Sequence, residues 1–300
     1  MVAWNLLVSV KRRLPGAPVL APLSKSPEVL PAPWQAQLWL KFRQQDSRTI
    51  LQHGHCGPLR IQKTLYPEGA SCCHAVIVHP PGGIAAGDDL VIDAHIAHGT
   101  HAVLSTPSAT KWYGAFGQSH ATQSIDLLLD GKLEWLPAET IVFNRAQVHS
   151  RLRIVASGAA SMIGWDQLIF GRHASGESFE HGWFDQSLQF EIDGQIVWID
   201  RIRLHGNDAL FESPIGLAGQ RSMATLWALR PEDATWDEPS MESIRARVTQ
   251  MAWTCVHPRL LVARMVGEPM DLTAALQQAR GTLRHMLWAM SGAPLRLWAT

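Results

Sequence analysis

Side chains able to bind metals and move protons concentrate between His53 and Asp88. His53, His55, Cys56, Cys72, Cys73, His74 and His79 all fall within that span. Imidazole and thiolate suit nickel, copper and zinc alike. The segment lacks the paired Cys-x2-Cys or His-x3-His spacing of a closed structural zinc centre. It points instead to an incompletely coordinated site that an ion enters and leaves, with cysteines packed as small apolar residues as the other reading. Four carboxylates stand in apolar or glycine-rich surroundings: Asp88, Asp166, Glu177 and Asp200. Burying an unpaired charge costs several kcal/mol, so each requires an arginine, a hydrogen-bond donor or a metal. Arg172, Arg201 and Arg203 are available as ion-pair mates. A water-filled passage lined by carboxylates is the functional alternative. Glu177 or Asp166 working with one of the fourteen histidines as acid and base defines an enzymatic reading, an all-β hydrolase.

The most unusual segment runs from His79 through Pro80-Pro81-Gly82-Gly83 to Gly87-Asp88. A diproline stiffens the chain and the glycines tolerate positive φ, which predicts a tight, preshaped loop between strands. No Gly-Lys-Ser/Thr follows, so it is not a phosphate cradle. Arg172-His173-Ala174-Ser175-Gly176 resembles a serine-nucleophile elbow, but Arg172 stands where the first glycine is needed.

Elements that could position these residues show mostly a period of two. Val148, Ser150, Leu152 and Ile154 alternate with His149, Arg151 and Arg153, as in a half-buried strand. Similar runs occur at 36–42, 76–79, 90–96, 102–106, 124–129, 188–192 and 196–204. Asp130-Gly131 and Asp193-Gly194 each predict a two-residue hairpin. The expected body is therefore mainly β and antiparallel. Near residue 236 the period changes. A helix is expected over 239–251, and another after Pro269, capped by Asp271, with Leu272, Ala275, Leu276, Ala279, Leu283, Met286, Leu287 and Met290 on one face. That stripe buries against the chain's own sheet or fills a partner's groove. The prolines at 15, 18, 22, 27, 31 and 33 mark residues 1–33 as an extended or disordered lead, leaving 34–300 as one domain.

The 300 residues contain 26 Lys+Arg and 26 Asp+Glu, so no positive field favours nucleic acid. At 17% charged and 46% hydrophobic the chain folds, yet it repels itself poorly, which suits a protein that rests in a complex. Four irregularly spaced cysteines do not make a disulfide framework and fit a reducing cytoplasm. The N-terminal apolar run has its basic residues after it, unlike a signal peptide, and the charge-free stretch 69–87 is too rich in Pro and Gly for a membrane span. Trp39, Trp135, Trp198, Trp227 and Trp288 lie in apolar runs and are expected in the core, not on a sugar-binding platform.

Ordered motifs run through nearly the whole chain from Trp34. They are Gly57-Pro58-Leu59-Arg60-Ile61-Gln62-Lys63, Leu65-Tyr66-Pro67-Glu68-Gly69 and His79-Pro80-Pro81-Gly82-Gly83, then Thr106-Pro107 and Ala109-Thr110-Lys111. Leu133-Glu134-Trp135-Leu136-Pro137 and Glu139-Thr140-Ile141-Val142-Phe143 follow, then Gly171-Arg172, Ala174-Ser175-Gly176-Glu177 and the closing Leu297-Trp298-Ala299-Thr300. This succession resembles the urease accessory protein UreD family, also called UreH. The resemblance implies an elongated, mostly β fold with a few helices and a cytoplasmic maturation factor that is not an enzyme. It further implies docking on apo-urease, recruitment of UreF and the GTPase UreG, and an internal passage for nickel, with no resident cofactor. On that model Glu177 is the leading passage carboxylate and Asp88 the second, with His55 and His79 as intermittent nitrogen ligands. The family commonly carries Asp after its Val-Phe; here that position is Asn144. The C-terminal region around residues 236–291 is expected, on the strength of its apolar stripe, to contribute to the UreF-facing surface.

Overall fold

A computed structural model describes residues 34–115, 117, 119–292 and 295; the proline-rich lead 1–33 and the closing Leu297–Thr300 lie outside the described residues. The chain forms β1 (Gln35–Gln45), β2 (Arg48–Cys56), β3 (Arg60–Leu65), β4 (Cys72–Val78), β5 (Asp89–Ile96) and β6 (His101–Ser105). Then come β7 (Thr110–Trp112), β8 (Ala121–Leu129), β9 (Lys132–Leu136), β10 (Thr140–Val142), β11 (Gln147–Ala156) and β12 (Ser161–Arg172). β13 (Glu177–Ser178), β14 (Trp183–Ile192), β15 (Gln195–His205) and β16 (Ser222–Leu229) lead to α1 (Glu238–Arg247), β17 (Ala252–His257), β18 (Leu260–Val266) and α2 (Pro269–Trp288). A seven-stranded sheet has the order β15-β14-β11-β8-β5-β1-β2, and an eleven-stranded sheet follows β17-β18-β16-β12-β9-β6-β4-β3, with β10 and β13 branching from β12 and β7 pairing with β10.

The mainly β expectation holds, with helices towards the C-terminus, but the strand direction is mixed. β1, β5, β8, β11 and β14 are parallel neighbours, as are β4, β6, β9 and β12. The reason lies in the route of the chain. β5, β8 and β11 are each followed by a strand of the other sheet, so a strand meets its own-sheet neighbour only after a full coil and runs the same way. Antiparallel pairing occurs where the chain folds back, at β1–β2, β3–β4, β14–β15 and β17–β18, and where β16 joins β12 and β18 within the second sheet.

The two Asp-Gly pairs show the difference. Asp193 and Gly194 take φ 50° and 80°, and Ile192 pairs with Gln195, a true two-residue hairpin. Asp130-Gly131 joins strands of different sheets. Its backbone stacks on the preceding corner, with Asp130 N–H and Gly131 N–H both donating to the Ile96 carbonyl (2.8 and 3.0 Å). A Cβ at Gly131 would stand 2.4 Å from the Ala97 oxygen, so glycine is needed there for close approach.

β11 alternates as read, with Val148, Ser150, Leu152 and Ile154 buried. All eight residues of β16 are buried because the second sheet is covered on both faces: by the first sheet on one side and by the helices on the other. α1 begins at Asp237, whose carboxylate accepts the Ser240 N–H (3.1 Å), and ends four residues before the expected Met251. α2 starts from Glu268 with no side-chain cap; Asp271 lies in its first turn, not at the cap. Leu272, Ala275, Leu276, Ala279 and Leu283 are buried against this chain's own second sheet. Fully burying each large side chain of that stripe contributes about 1.5–3 kcal/mol, and the stripe is therefore not a free surface for UreF. Trp135 and Trp227 are core residues, whereas Trp39 is 52% exposed and lies across Gly54 of β2.

Two arginines interrupt the same stripe. Arg280 Nε donates to Glu134 Oε2 (2.7 Å), and Arg284 reaches Glu134 Oε1 with Nε (3.5 Å) and Glu68 Oε2 with a terminal nitrogen (2.5 Å). His101 adds a bond to Glu134 (3.1 Å). Burial pushes the Glu134 carboxyl up, but His101, Arg280 and Arg284 outweigh it and hold it below the usual range. This cluster ties α2 to β9, β6 and the β3–β4 turn.

Candidate functional site

Three motifs far apart in sequence meet beside the diproline loop, whose His79, Gly82, Gly83 and Ile84 line the cavity between the sheets; the cluster so formed, the mouth, lies outside the cavity lining itself. After β4 the diproline loop closes with the Gly82 N–H on the His79 carbonyl (2.9 Å), then aligns with β7 through the Ile84 and Tyr113 N–H groups. Gly83 lies under the Tyr113 ring, where a Cβ would come within 2.4 Å of it. Tyr113 meets Phe143 edge-on at 5.2 Å, and the Arg172 guanidinium sits 4.5 Å from the Phe143 ring centre. Arg172 grips Glu177 with two nitrogens (3.1 and 2.6 Å). Gly171 and Gly176, both at positive φ, make the tight return that sets Arg172 opposite Glu177.

Asn144 closes this cluster. Its N–H donates to Glu177 Oε1 (3.1 Å), and its Oδ1 accepts the N–H groups of Arg145, Glu180 and His181 at 2.9–3.1 Å. An aspartate would offer the same acceptor, so the neutral residue keeps the geometry. Sequence reading missed this role, and also that of Tyr113, because the partners are turn backbones and a glycine face with no side-chain signature.

The expected site residues separate. Glu177 is ion-paired to Arg172, whose bond holds its carboxyl below the usual range against the opposing effect of burial. Both oxygens of Asp88 accept backbone N–H groups, from Trp34 (3.1 Å) and Ala85 (2.8 Å), so this buried carboxylate fastens the start of β1 to the loop. His55 is exposed on β2, opposite Leu38. His79 alone of the four lines the cavity between the sheets, together with Asp166 from the enzymatic reading.

The cavity encloses about 370 Å³. Its walls are largely apolar, among them Ile84, Trp112, Ile125 and Phe184. His79 Nε2 is buried with no hydrogen-bond partner among the described residues, and burial lowers the imidazole's proton affinity against the pull of Asp88, which favours the neutral ring. At the inner end, Asp166 on β12 accepts a bond from Gln186 on β14 (2.6 Å) that spans the two sheets. Burial pushes Asp166 up to about 6, with Gln186 and the Gln167 N–H opposing and Asp200 adding. Asp166 and Gln186 also border a second, smaller cavity of about 10 Å³ that reaches Asp200. Their bond is thus a bar between the two spaces. Asp200 itself pairs with Arg264.

The model of the UreD urease accessory protein family matches residues 35–299, and the chain belongs to that family. It is 39% identical over 281 residues to the urease accessory protein UreD of Ralstonia nicotianae, covering 90% of this chain and 95% of that one. The UreD proteins of Pseudomonas fluorescens Pf-5 and Cupriavidus necator are 40% and 39% identical, each covered to 95% or more with 89% and 90% of this chain. These relatives carry the name of accessory proteins, which sets aside the hydrolase reading. No helix among the described residues is long and apolar enough to cross a membrane.

Proposed function

We propose that this protein is a cytoplasmic urease maturation factor that docks on apo-urease, recruits UreF and UreG, and offers a route by which nickel reaches the urease active site. Family membership over residues 35–299 carries this reading. Nickel is cargo, so binding along the route has to be loose. A neutral imidazole at His79 and single oxygens at Asp166 and Gln186, set apart in an apolar cavity, suit that requirement better than a closed thiolate cage. On this reading Glu177 organises the mouth through Arg172 and Asn144, and His79 with Asp166 contacts the ion.

The test is urease activity and nickel content in cells carrying a complete urease gene set, with and without this chain. Loss of both on deletion is expected. Asp166→Ala and His79→Ala chains that still capture UreF and apo-urease should leave urease poor in nickel. Unchanged activity and nickel on deletion would refute the maturation role, and normal nickel in both variants would refute the route while leaving the scaffold role standing.

A further inference from the structure

We infer that Glu68, Cys72 and His74 form a binding site for a borderline divalent cation of the zinc, cobalt and nickel class, on the helix face of the second sheet. The inference does not rest on the maturation role. The side chains come from the turn before β4 and from β4 itself, where Cys72 points towards α2 and the adjacent Cys73 points into the core between the sheets. One ligand atom from each lies within 4.8 Å of the others. His74 Nε2 is 2.9 Å from Glu68 Oε1, and Cys72 Sγ is 4.0 Å from that same oxygen. A tetrahedral site with ordinary metal–nitrogen, metal–oxygen and metal–sulfur distances has edges of about 3.3–3.5 Å. Small side-chain rotations bring the three atoms to that spacing.

The ligand chemistry agrees with the geometry, and because burial and the Glu68 and Glu134 carboxylates push the free Cys72 thiol up to about 12, the arriving ion itself has to displace the thiol proton. One thiolate, one imidazole and one carboxylate is a mixed set that borderline ions accept and that calcium or magnesium does not favour. Thiolate and carboxylate together balance a divalent charge. Arg284 approaches only the far oxygen, Oε2, so it orients the Glu68 carboxylate and leaves Oε1 facing His74 and Cys72, the part that outer partners play around metal ligands. Cys72 is buried, while Glu68 and His74 keep 17% and 12% of their side-chain surfaces exposed, which gives an ion a way in and leaves a fourth position for water. None of the three lines the cavity between the sheets.

The experiment uses the full chain with the exposed thiols removed by Cys56→Ser and Cys255→Ser, titrated with cobalt(II) and followed by absorption. Expected are a saturable tetrahedral cobalt spectrum, a thiolate-to-cobalt charge-transfer band, and bleaching by zinc. Adding Cys72→Ala should abolish the charge-transfer band, and adding His74→Ala should weaken binding by about tenfold or more. Cys73→Ala, a neighbour on the wrong face, should change neither. Absence of a thiolate band in the parent, its persistence after Cys72→Ala, or its loss in Cys73→Ala overturns the assignment. Should Cys72→Ala fail to fold, His74→Ala decides: affinity unchanged to within twofold overturns the site. Urease activity plays no part in the readout, so the outcome is independent of the route proposed for nickel.

Discussion

The two faces of the second sheet treat buried charge in opposite ways. On the helix face Glu134 is fully enclosed and meets His101, Arg280 and Arg284, so its negative charge is matched on three sides, while Arg284 Nε and Nη1 make no hydrogen bond among the described residues. On the cavity face Asp166 has only Gln186 and a backbone N–H, and His79 Nε2 has no partner. Saturation of the carboxylate fixes one element to another. Undersupply leaves groups able to accept something else. Around Glu134 and Asp166 the contrast separates a carboxylate that holds the molecule together from one that can exchange a ligand; on the helix face that second capacity is kept by the Glu68–Cys72–His74 cluster.

The largest effect is expected on the saturated face. Glu134→Ala leaves two arginines buried without their carboxylate and should lower unfolding stability by about 3–5 kcal/mol in a urea titration. A loss below about 1 kcal/mol would mean that α2 is held by its apolar stripe alone. On the cavity face the sign is reversed and the effect depends on pH. Because the folded-state pKa of Asp166 is raised to about 6 from 3.8, its contribution is fully present below the lower value and fades as pH rises through the upper one. A shift of that size corresponds to about 3 kcal/mol lost between pH 4 and 7, and Asp166→Asn should flatten that part of the stability profile. An unchanged profile in Asp166→Asn would show that the carboxylate is not desolvated.

Smaller effects sharpen the same contrast at the mouth. Gly83→Ala displaces the Tyr113 ring and should cost about 1–3 kcal/mol, read as a fall in melting temperature. Glu177→Gln weakens a partly exposed pair with Arg172 and should cost about 0.5–1 kcal/mol at neutral pH. The Glu177 carboxyl is held low in the folded state, so the difference between wild type and variant should vanish as pH drops through its folded value. Asn144→Asp should change stability by less than about 0.5 kcal/mol, since the acceptor for three N–H groups is retained. A large loss there would mean that the amide nitrogen also matters.

Alternating strands such as β11 were readable in the sequence because alternation is local and each residue declares its own face, whereas β12 and β16, buried on both faces, show no alternation and were not read, nor were β2, β3, β9, β17 and β18. Direction was not readable either, because pairing between β8 and β11 is decided by where the chain crosses to the other sheet. Identical Asp-Gly dipeptides at 130–131 and 193–194 thus serve a stacked corner and a hairpin, and nothing within two residues distinguishes them. The motifs at the mouth were legible as motifs; the Phe143–Arg172–Glu177 contact that joins them was not. Asp166 stood out as a carboxylate in apolar surroundings, but its cross-sheet partner Gln186 carries no signal. Likewise nothing in the sequence around Arg280 and Arg284 points to Glu134, because a distant strand contributes it.

The coiled route of the chain has a consequence for synthesis. Neighbouring parallel strands are separated by about 30 residues, so each coil can settle on its predecessor soon after it leaves the ribosome, with a modest loop-closure cost. The first strand is the exception. β1 must wait for β5, and the Trp34–Asp88 bond that fastens its start joins residues 54 apart. Until then the β1–β2 hairpin presents Leu38, Leu40 and Phe42 with nothing to cover them. The nascent chain is therefore most exposed to misassociation early in translation, and slowing elongation before Ile96 should lower the soluble yield more than slowing it later.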